Sequence, residues 1–458
     1  MARIAKEYRP LATSSSYDTI VDKRRAFLSP SLQTFQAYSR PLVLQRGDSQ
    51  YLWDVDGKKY LDLMAQNLCI SVGYNHPLIT SEVKKQIEQM AHCTTMYFQA
   101  APAHLAEELV SRLPGGVDWV AHFVNSGSEA IDLAVLMARL FTGNFEIIAL
   151  RNCYHGLQLG PMFITGIQSC RQPLPSAHGV VHVPNPAAYR GVFGAVVQPY
   201  VDEIDNAIRS STPGKIAGFI AEPIQGFGGV MPLLPGYLAE AFNRTRAAGG
   251  VCIVDEVQTG FTRTGSDYWG FQSQGVLPDI IVLGKGIGNG FPLSAVVARR
   301  EIAEAMTGKK FFNTYGCNPV SCAAGRAVLR AVDDDCTQEN AKTLGDYLRL
   351  QLMGLKSRYA LVGDVRGCGL MIGVELVKDR ATQTPADEAT GIVAEHAREN
   401  GLIIGKGGVF GNVLRINPPL CIEKLDIDFA VDVLDQGLKS ATRSNRTDTD
   451  RCGSNLSL

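Results

Sequence analysis

Short apolar runs recur through the middle of the chain, separated by longer segments whose apolar positions repeat at helical spacing. Residues 119–124, 146–150, 216–221, 251–254 and 280–283 are the runs, and their length and spacing predict strands in βαβ units of a largely parallel sheet. Upstream, 51–62 carries an Asp56-Gly57 turn between two strand-like stretches and predicts a short hairpin. Helical periodicity follows over 79–90 and 103–112, and again over 318–333 and 340–356. Gly369–Leu376 then fits a strand of a smaller α+β unit that also takes in 402–404 and 413–416. The expected fold class is α/β: a large domain at 81–330 with a mostly parallel central sheet, and a smaller α+β domain from 31–80 and 331–438. Residues 1–30 are expected to be a flexible segment and 439–458 a polar tail.

The 458-residue length agrees with more than one domain. A formal net charge of -1 argues against an extended nucleic-acid surface. The eleven cysteines are scattered without CxxC pairs, which points to buried reduced thiols such as Cys69 and Cys252 and to no metal cage. No run is long enough to predict a membrane span. The start of the chain holds Arg3, Lys6 and Arg9 against Glu7, then Ser14–Ser16. This is permissive for an organellar transit segment, although Pro10 interrupts an amphipathic helix. Asn445-Arg446-Thr447 matches a glycosylation acceptor, which is expected to stay unused because the first residues do not read as a secretory signal.

Candidate chemistry gathers where the apolar runs end. Lys285 follows 280–283, and Asp255 follows 251–254. An amine and a carboxylate at the mouths of two buried strands suit pyridoxal phosphate chemistry: the amine can form a Schiff base with the aldehyde, and the acid can keep the pyridine nitrogen protonated. Asn125-Ser126-Gly127-Ser128-Glu129 follows another strand and opens a helix. Its glycine permits a tight turn, Ser126 and Ser128 bring hydroxyls, and the helix-start amides suit a phosphate. An ordinary capped helix start has the same composition. Tyr154 and His155 precede Gly156 after 146–150, where an aromatic ring can lie against the pyridine or simply pack in the core. Glu222, in Glu222-Pro223-Ile224-Gln225-Gly226, emerges from a further strand end, where open α/β sheets place ligands.

These runs resemble the class III, fold-type I pyridoxal phosphate aminotransferases over about residues 30–435. NSGSEA, YHG, EPIQG, VDEVQTGFTRTG, PDIIVLGKGIGNGFP and NTYGCNP carry the resemblance. Within the family, HFVNSGSEA, GIGNGFP and VGDVRGCGLMIGVEL resemble the alanine–glyoxylate aminotransferase 2 subfamily most. The resemblance implies that Lys285 is the Schiff-base lysine and moves the substrate proton, and that Asp255 partners the pyridine nitrogen. It places Val257 and Tyr154 on opposite ring faces and Gln258 at the phenolic oxygen. Ser126, Gly127 and Ser128 hold the phosphate, with His155 and Glu222 also in the cofactor site. Thr314 closes the phosphate site of a neighbouring subunit, which implies a homodimer with shared active sites. One family glycine in that last motif is Cys317 here.

Arg415 occupies the family's position for binding the substrate carboxylate, although a structural salt bridge would also account for an arginine among apolar residues. Amine-accepting relatives often place a glutamate after EPIQG to mask that arginine, and this chain has Phe227 there. The implied reaction is a ping-pong transfer from alanine or a similar amino acid to glyoxylate or another 2-oxo acid. Tyr97 is expected at the substrate entrance. The alternatives are an ω-amino-acid:pyruvate transaminase, a phosphoethanolamine-type phospho-lyase, and a non-catalytic dimeric scaffold. The last is disfavoured by the retained Lys285, Asp255 and Thr314. A mitochondrial location is implied if the source is eukaryotic, and a cytoplasmic one otherwise.

Overall fold

The computed structural model of the chain describes residues 15–33, 38–174 and 179–453. The basic residues at 3, 6 and 9, and Ser14, lie outside these residues. The central sheet runs in the order Trp119–Val124, Ser294–Arg299, Ile280–Leu283, Val251–Asp255, Gly218–Ala221, Ile147–Leu150 and Val180–Val183. Helices such as Gly127–Thr142 and Tyr237–Ala247 pack against it. The four inner parallel strands are buried along their whole length, so they read as continuous apolar runs rather than alternating ones.

Ser294–Arg299 is the exception to the parallel order: it pairs antiparallel with both of its neighbours. Two reversals leave Trp119–Val124 pointing the same way as Ile280–Leu283. The carboxyl ends of Trp119–Val124, Ile147–Leu150, Gly218–Ala221, Val251–Asp255 and Ile280–Leu283 therefore share one edge of the sheet. Register makes the placement definite. Asp255 is level with Val282, so its side chain emerges beside the turn that carries Lys285.

A second buried cluster combines Leu61 and Leu63 from the hairpin region with Leu348, Ile372, Leu414 and Leu434. The expected hairpin forms as Tyr51–Asp54 and Lys59–Asp62. Leu402 packs in this same cluster, but the strand Leu402–Ile403 does not join the sheet of Met371–Asp379 and Val413–Ile416; it pairs in parallel with Lys59–Asp62, Leu402 opposite Leu61. The expected boundaries at 80, 330 and 438 all fall inside continuous helices, Pro77–Gln89, Pro319–Asp334 and Lys424–Gly453. The first two pack on each other through Ile79, Val83, Ala324 and Val328, so the segment after 72 belongs with the second helix. The segment expected to be flexible contains the helix Tyr17–Phe27, capped by Ser16, with no buried residue.

Cysteine placement also departs from expectation. Cys252 is buried in its strand, but Cys69 is half-buried and lies just after four consecutive left-handed residues, Ala65–Leu68. Cys336 and Cys368 are exposed. Among the described residues no helix is long and apolar enough to cross a membrane, and no group of side chains is arranged to hold a metal ion.

Gly345 shows how closely the second core is assembled. It lies mid-helix in Thr337–Arg358, where alanine is ordinarily preferred by about 1 kcal/mol. A methyl there would approach the Gly369 backbone to 2.3 Å. Gly345→Ala is therefore expected to destabilise the protein by about 1–3 kcal/mol despite its better helix propensity. Urea unfolding monitored by circular dichroism checks this, and a stabilised variant would contradict the packing.

Candidate active site

The carboxyl edge of the sheet brings the candidate residues together. Gly284 leads into a tight turn at Lys285–Gly288, and Lys285 itself takes φ 46°, a left-handed conformation that is uncommon for a residue with a side chain. Burial lowers the Lys285 pKa from its ordinary value, and Arg415 lowers it further, while Asp255, Cys69 and Glu222 oppose the shift. A lysine so placed is a better base and nucleophile near neutral pH than a solvated one.

Asp255 and Glu256, adjacent in sequence, serve different structures. Asp255 Oδ2 accepts a hydrogen bond from His155 Nδ1 at 2.7 Å, and Oδ1 accepts from Val257 N at 3.0 Å. Both Asp255 and His155 are buried. Burial alone would lower the His155 pKa, but Cys153 and Asp255 outweigh it and hold it well above the ordinary value. Glu256 accepts from Thr259 Oγ1 and from the backbone of Gly270 and Phe271, so it pins the following loop instead of facing the site.

Glu222 ties two candidate segments together. Its Oε1 accepts from Tyr154 N and its Oε2 from Gly226 N, each at 2.9 Å. Burial raises its pKa to about 7, Asp255 adding to the rise and His155 opposing it. Tyr154 packs against Phe227, with ring centroids 5.2 Å apart.

The helix start at Gly127 meets the same edge. Ser126 caps the helix by accepting from Glu129 N, while the amides of Gly127 and Ser128 precede the first intrahelical bond. Gly156, at φ 112°, makes room for Ser128: a Cβ there would lie 2.2 Å from Ser128 Oγ. Val257 borders both Gly127 and Gly284, its methyls 3.5 and 3.3 Å from where their Cβ atoms would stand. Ser128, Gly156, Val257 and the lysine turn thus surround one small region.

Two contributors lay outside the sequence reading. Glu129 Oε2 accepts from Asn125 N, Asn125 Nδ2 and Asn313 Nδ2, so it fastens the glycine turn to the loop carrying Thr314. The SGSE string announces Glu129 only as a cap, and nothing near Asn313 signals a partner almost two hundred residues away. In the same loop Cys317 takes φ 59°, a left-handed conformation that a glycine, as the family resemblance implies there, would adopt without strain.

Arg415, on Val413–Ile416, is buried, and its Nη2 donates to Gln258 Oε1 at 3.1 Å. Its Nε has no partner, nor does His155 Nε2. Burial lowers the Arg415 pKa to about 10, opposed by Glu222. Among the described residues Arg415 forms no salt bridge, in contrast to Arg366, which pairs with Glu375 at 2.7 Å. Tyr97 and Thr314 are not part of this buried set; both are exposed on the single chain.

Residues 34–438 match the model of the aminotransferase class-III family. The chain is 47% identical to alanine–glyoxylate aminotransferase 2 homolog 2, mitochondrial, from Arabidopsis thaliana, covering 94% of this chain and 89% of that one. Among solved structures it is similar to a phospholyase from Arthrobacter in complex with phosphoethanolamine, at 33% identity and a TM-score of 0.84, covering 92% and 99% of the two chains. It is also similar to an amine transaminase from an uncultivated Pseudomonas species in its PLP-bound form, at 29% identity and a TM-score of 0.82, covering 91% and 97%. The chain belongs to the class III aminotransferases, fold-type I enzymes that work with pyridoxal phosphate.

Proposed function

We propose that this enzyme transfers an amino group from alanine or a similar amino acid to glyoxylate or another 2-oxo acid by a ping-pong mechanism. The observation that carries the reading is Arg415: a buried guanidinium with no carboxylate partner among the described residues, brought from the second sheet onto Gln258, three residues beyond Asp255. A buried arginine is costly unless an anion matches its planar fork, and a substrate carboxylate supplies one. Phe227, 5.9 Å from the Arg415 guanidinium carbon, brings no charge to mask it.

The donor set fits pyridoxal phosphate. Lys285 offers an amine of lowered pKa to the aldehyde, Asp255 with His155 behind it offers a carboxylate to the ring nitrogen, and the Gly127–Ser128 turn offers amides and a hydroxyl to the phosphate. Ser126, Tyr154, Val257, Gln258 and Glu222 complete the assignment, Glu222 by bracing the Tyr154 and Gly226 backbone. When bound, the group supplies an electron sink and carries the amino group between the two half-reactions.

The chain's own residues do the rest. Asp255 holds a proton at the ring nitrogen, and His155 fixes the orientation of Asp255 and balances its charge. Lys285 Nζ takes the proton from the substrate α carbon and would deliver it to the C4′ carbon of the bound cofactor, with proximity replacing a collision. Arg415 orients the carboxylate in both half-reactions.

A homodimer is part of the proposal. Thr314 sits exposed among Phe311, Phe312 and Tyr315, and Met96, Tyr97 and Phe98 are exposed as well. Apolar surface of that kind suits burial by a second copy, where Thr314 and Tyr97 would border the shared sites. A mitochondrial location is proposed if the source is eukaryotic, supported by the name of the Arabidopsis relative; otherwise the proposed location is cytoplasmic. The similarity to the Arthrobacter phospholyase keeps phosphoethanolamine elimination as a second reading. It would need cationic groups for the substrate phosphate in addition to Arg415. An ω-amino-acid:pyruvate transaminase would keep the same cofactor residues and differ in pocket shape.

Three variants test the assignment. Lys285→Ala is expected to keep noncovalent cofactor binding and lose nearly all transamination; wild-type turnover would remove it from the mechanism. Asp255→Asn is expected to slow α-proton abstraction, measured with deuterated alanine on protein shown to be folded and loaded. That control is needed because breaking a buried charge pair costs about 3–5 kcal/mol. An unchanged abstraction rate would contradict the role of Asp255. Arg415→Ala is expected to lower kcat/KM for alanine by roughly 30- to 5000-fold, corresponding to about 2–5 kcal/mol, and to affect a primary amine lacking the carboxylate far less. Equal loss for both donors would favour the broader ω-transaminase reading.

A further inference from the structure

Gly407 lies against the aliphatic stem of Arg415. A Cβ there would fall 2.5 Å from Arg415 Cδ, 3.4 Å from its Cγ and 3.4 Å from the Phe227 carbonyl oxygen. The backbone does not require glycine at this position: Gly408 is left-handed at φ 83°, whereas Gly407 is not among the residues with positive φ. The space requires it. Gly407 belongs to the strand Gly405–Gly407, which pairs antiparallel with Val413–Ile416, and Gly408 N donates to Phe227 O at 3.0 Å. The hairpin is thereby tied to the loop that carries Phe227, and it forms a wall along the arginine.

The far end of Arg415 is held in a similar way. Its Nη2 donates to Gln258 Oε1, and the Gln258 amide lies over Gly226, where a Cβ would come within 2.1 Å of Oε1. Two glycines without side chains thus leave berths for two polar side chains, and a single hydrogen bond joins them. An amide is a weaker partner for a guanidinium than a carboxylate is, so an arriving carboxylate can replace it.

We propose that Gly407 determines specificity by position: the missing side chain lets Arg415 lie along the hairpin with its guanidinium turned towards Gln258 and available to a substrate carboxylate. Gly407 is a positioning residue that acts through Arg415. The inference rests on the carboxylate-binding role proposed for Arg415 and extends it to the residue that sets where the guanidinium points.

The test compares holoenzyme carrying Gly407→Ala with wild type and with Arg415→Ala. KM and kcat are measured for alanine and for isopropylamine, and binding of propionate, an unreactive monocarboxylate, is measured by calorimetry. Displacing the guanidinium by about 1 Å should raise both the alanine KM and the propionate Kd by roughly 10- to 100-fold. Isopropylamine kcat/KM should stay within about threefold of wild type, since it makes no call on the guanidinium. Unchanged alanine KM and propionate Kd would overturn the proposal, as would equal loss for both donors with cofactor still bound. If Gly407→Ala does not fold, Gly405→Ala decides. Its methyl would stand 3.2 Å from Arg415 Cβ, so a smaller shift in the same direction is expected, and none would overturn the proposal. Separation of the donors by Arg415→Ala but not by the glycine variants removes this inference alone. Failure of Arg415→Ala to separate them removes the underlying reading, and this one with it.

Discussion

The pairing of Asp255 with His155 at the sheet edge is the interaction around which the candidate active site is organised. A carboxylate taken out of water is stable only if something replaces the lost solvation, and here a histidine 2.7 Å away and the Val257 amide do so. The same bonds fix the direction in which Asp255 points. Glu222 extends the arrangement by bracing the Tyr154 backbone on one side and Gly226 on the other, so residues next to the pair are held by backbone bonds. Lys285 and Arg415 are buried beside this arrangement, and burial lowers the pKa of each against the opposing pull of Glu222.

The sheet makes this concentration of charge possible. Five strands deliver their carboxyl ends to one edge, and the reversed strand Ser294–Arg299 keeps the glycine-turn strand in the same direction as its parallel neighbours. Loops emerging together at that edge can place an amine, two acids and a helix start close to one another, although they are far apart in the chain, and the second sheet brings the Arg415 guanidinium to them through Gln258. The left-handed Lys285 shows that the geometry is not free of strain, and such strain persists only where the surrounding packing holds it.

Much of this was legible in the amino-acid sequence because it depends on local rules. Fully buried parallel strands read as unbroken apolar runs, so Lys285, Asp255 and Glu222 could be placed at strand ends. Ser294–Arg299 escaped notice because it follows the glycine-rich loop directly and enters the sheet antiparallel, outside the βαβ rhythm. The strand partner of Leu402–Ile403 was not legible, because two apolar residues do not specify which sheet edge they join. His155 was singled out beside Tyr154, but its bond to Asp255 spans a separation that no local pattern reports. The same holds for Glu129 with Asn313, and for Gly407, whose meaning lies in the arginine stem beside it. Long-range polar pairs and the space left by glycines are set by tertiary packing.

The central claim is that a sheet-edge site with an available arginine performs amino transfer on α-amino acids. A single-turnover comparison of the wild-type holoenzyme tests it most directly, mixing enzyme separately with alanine, β-alanine and phosphoethanolamine and analysing the products. The account predicts that alanine is consumed fastest, yielding pyruvate in one-to-one proportion with the amino form of the cofactor, and that glyoxylate restores the starting form. Release of inorganic phosphate from phosphoethanolamine, with no pyruvate formed from alanine, would contradict it.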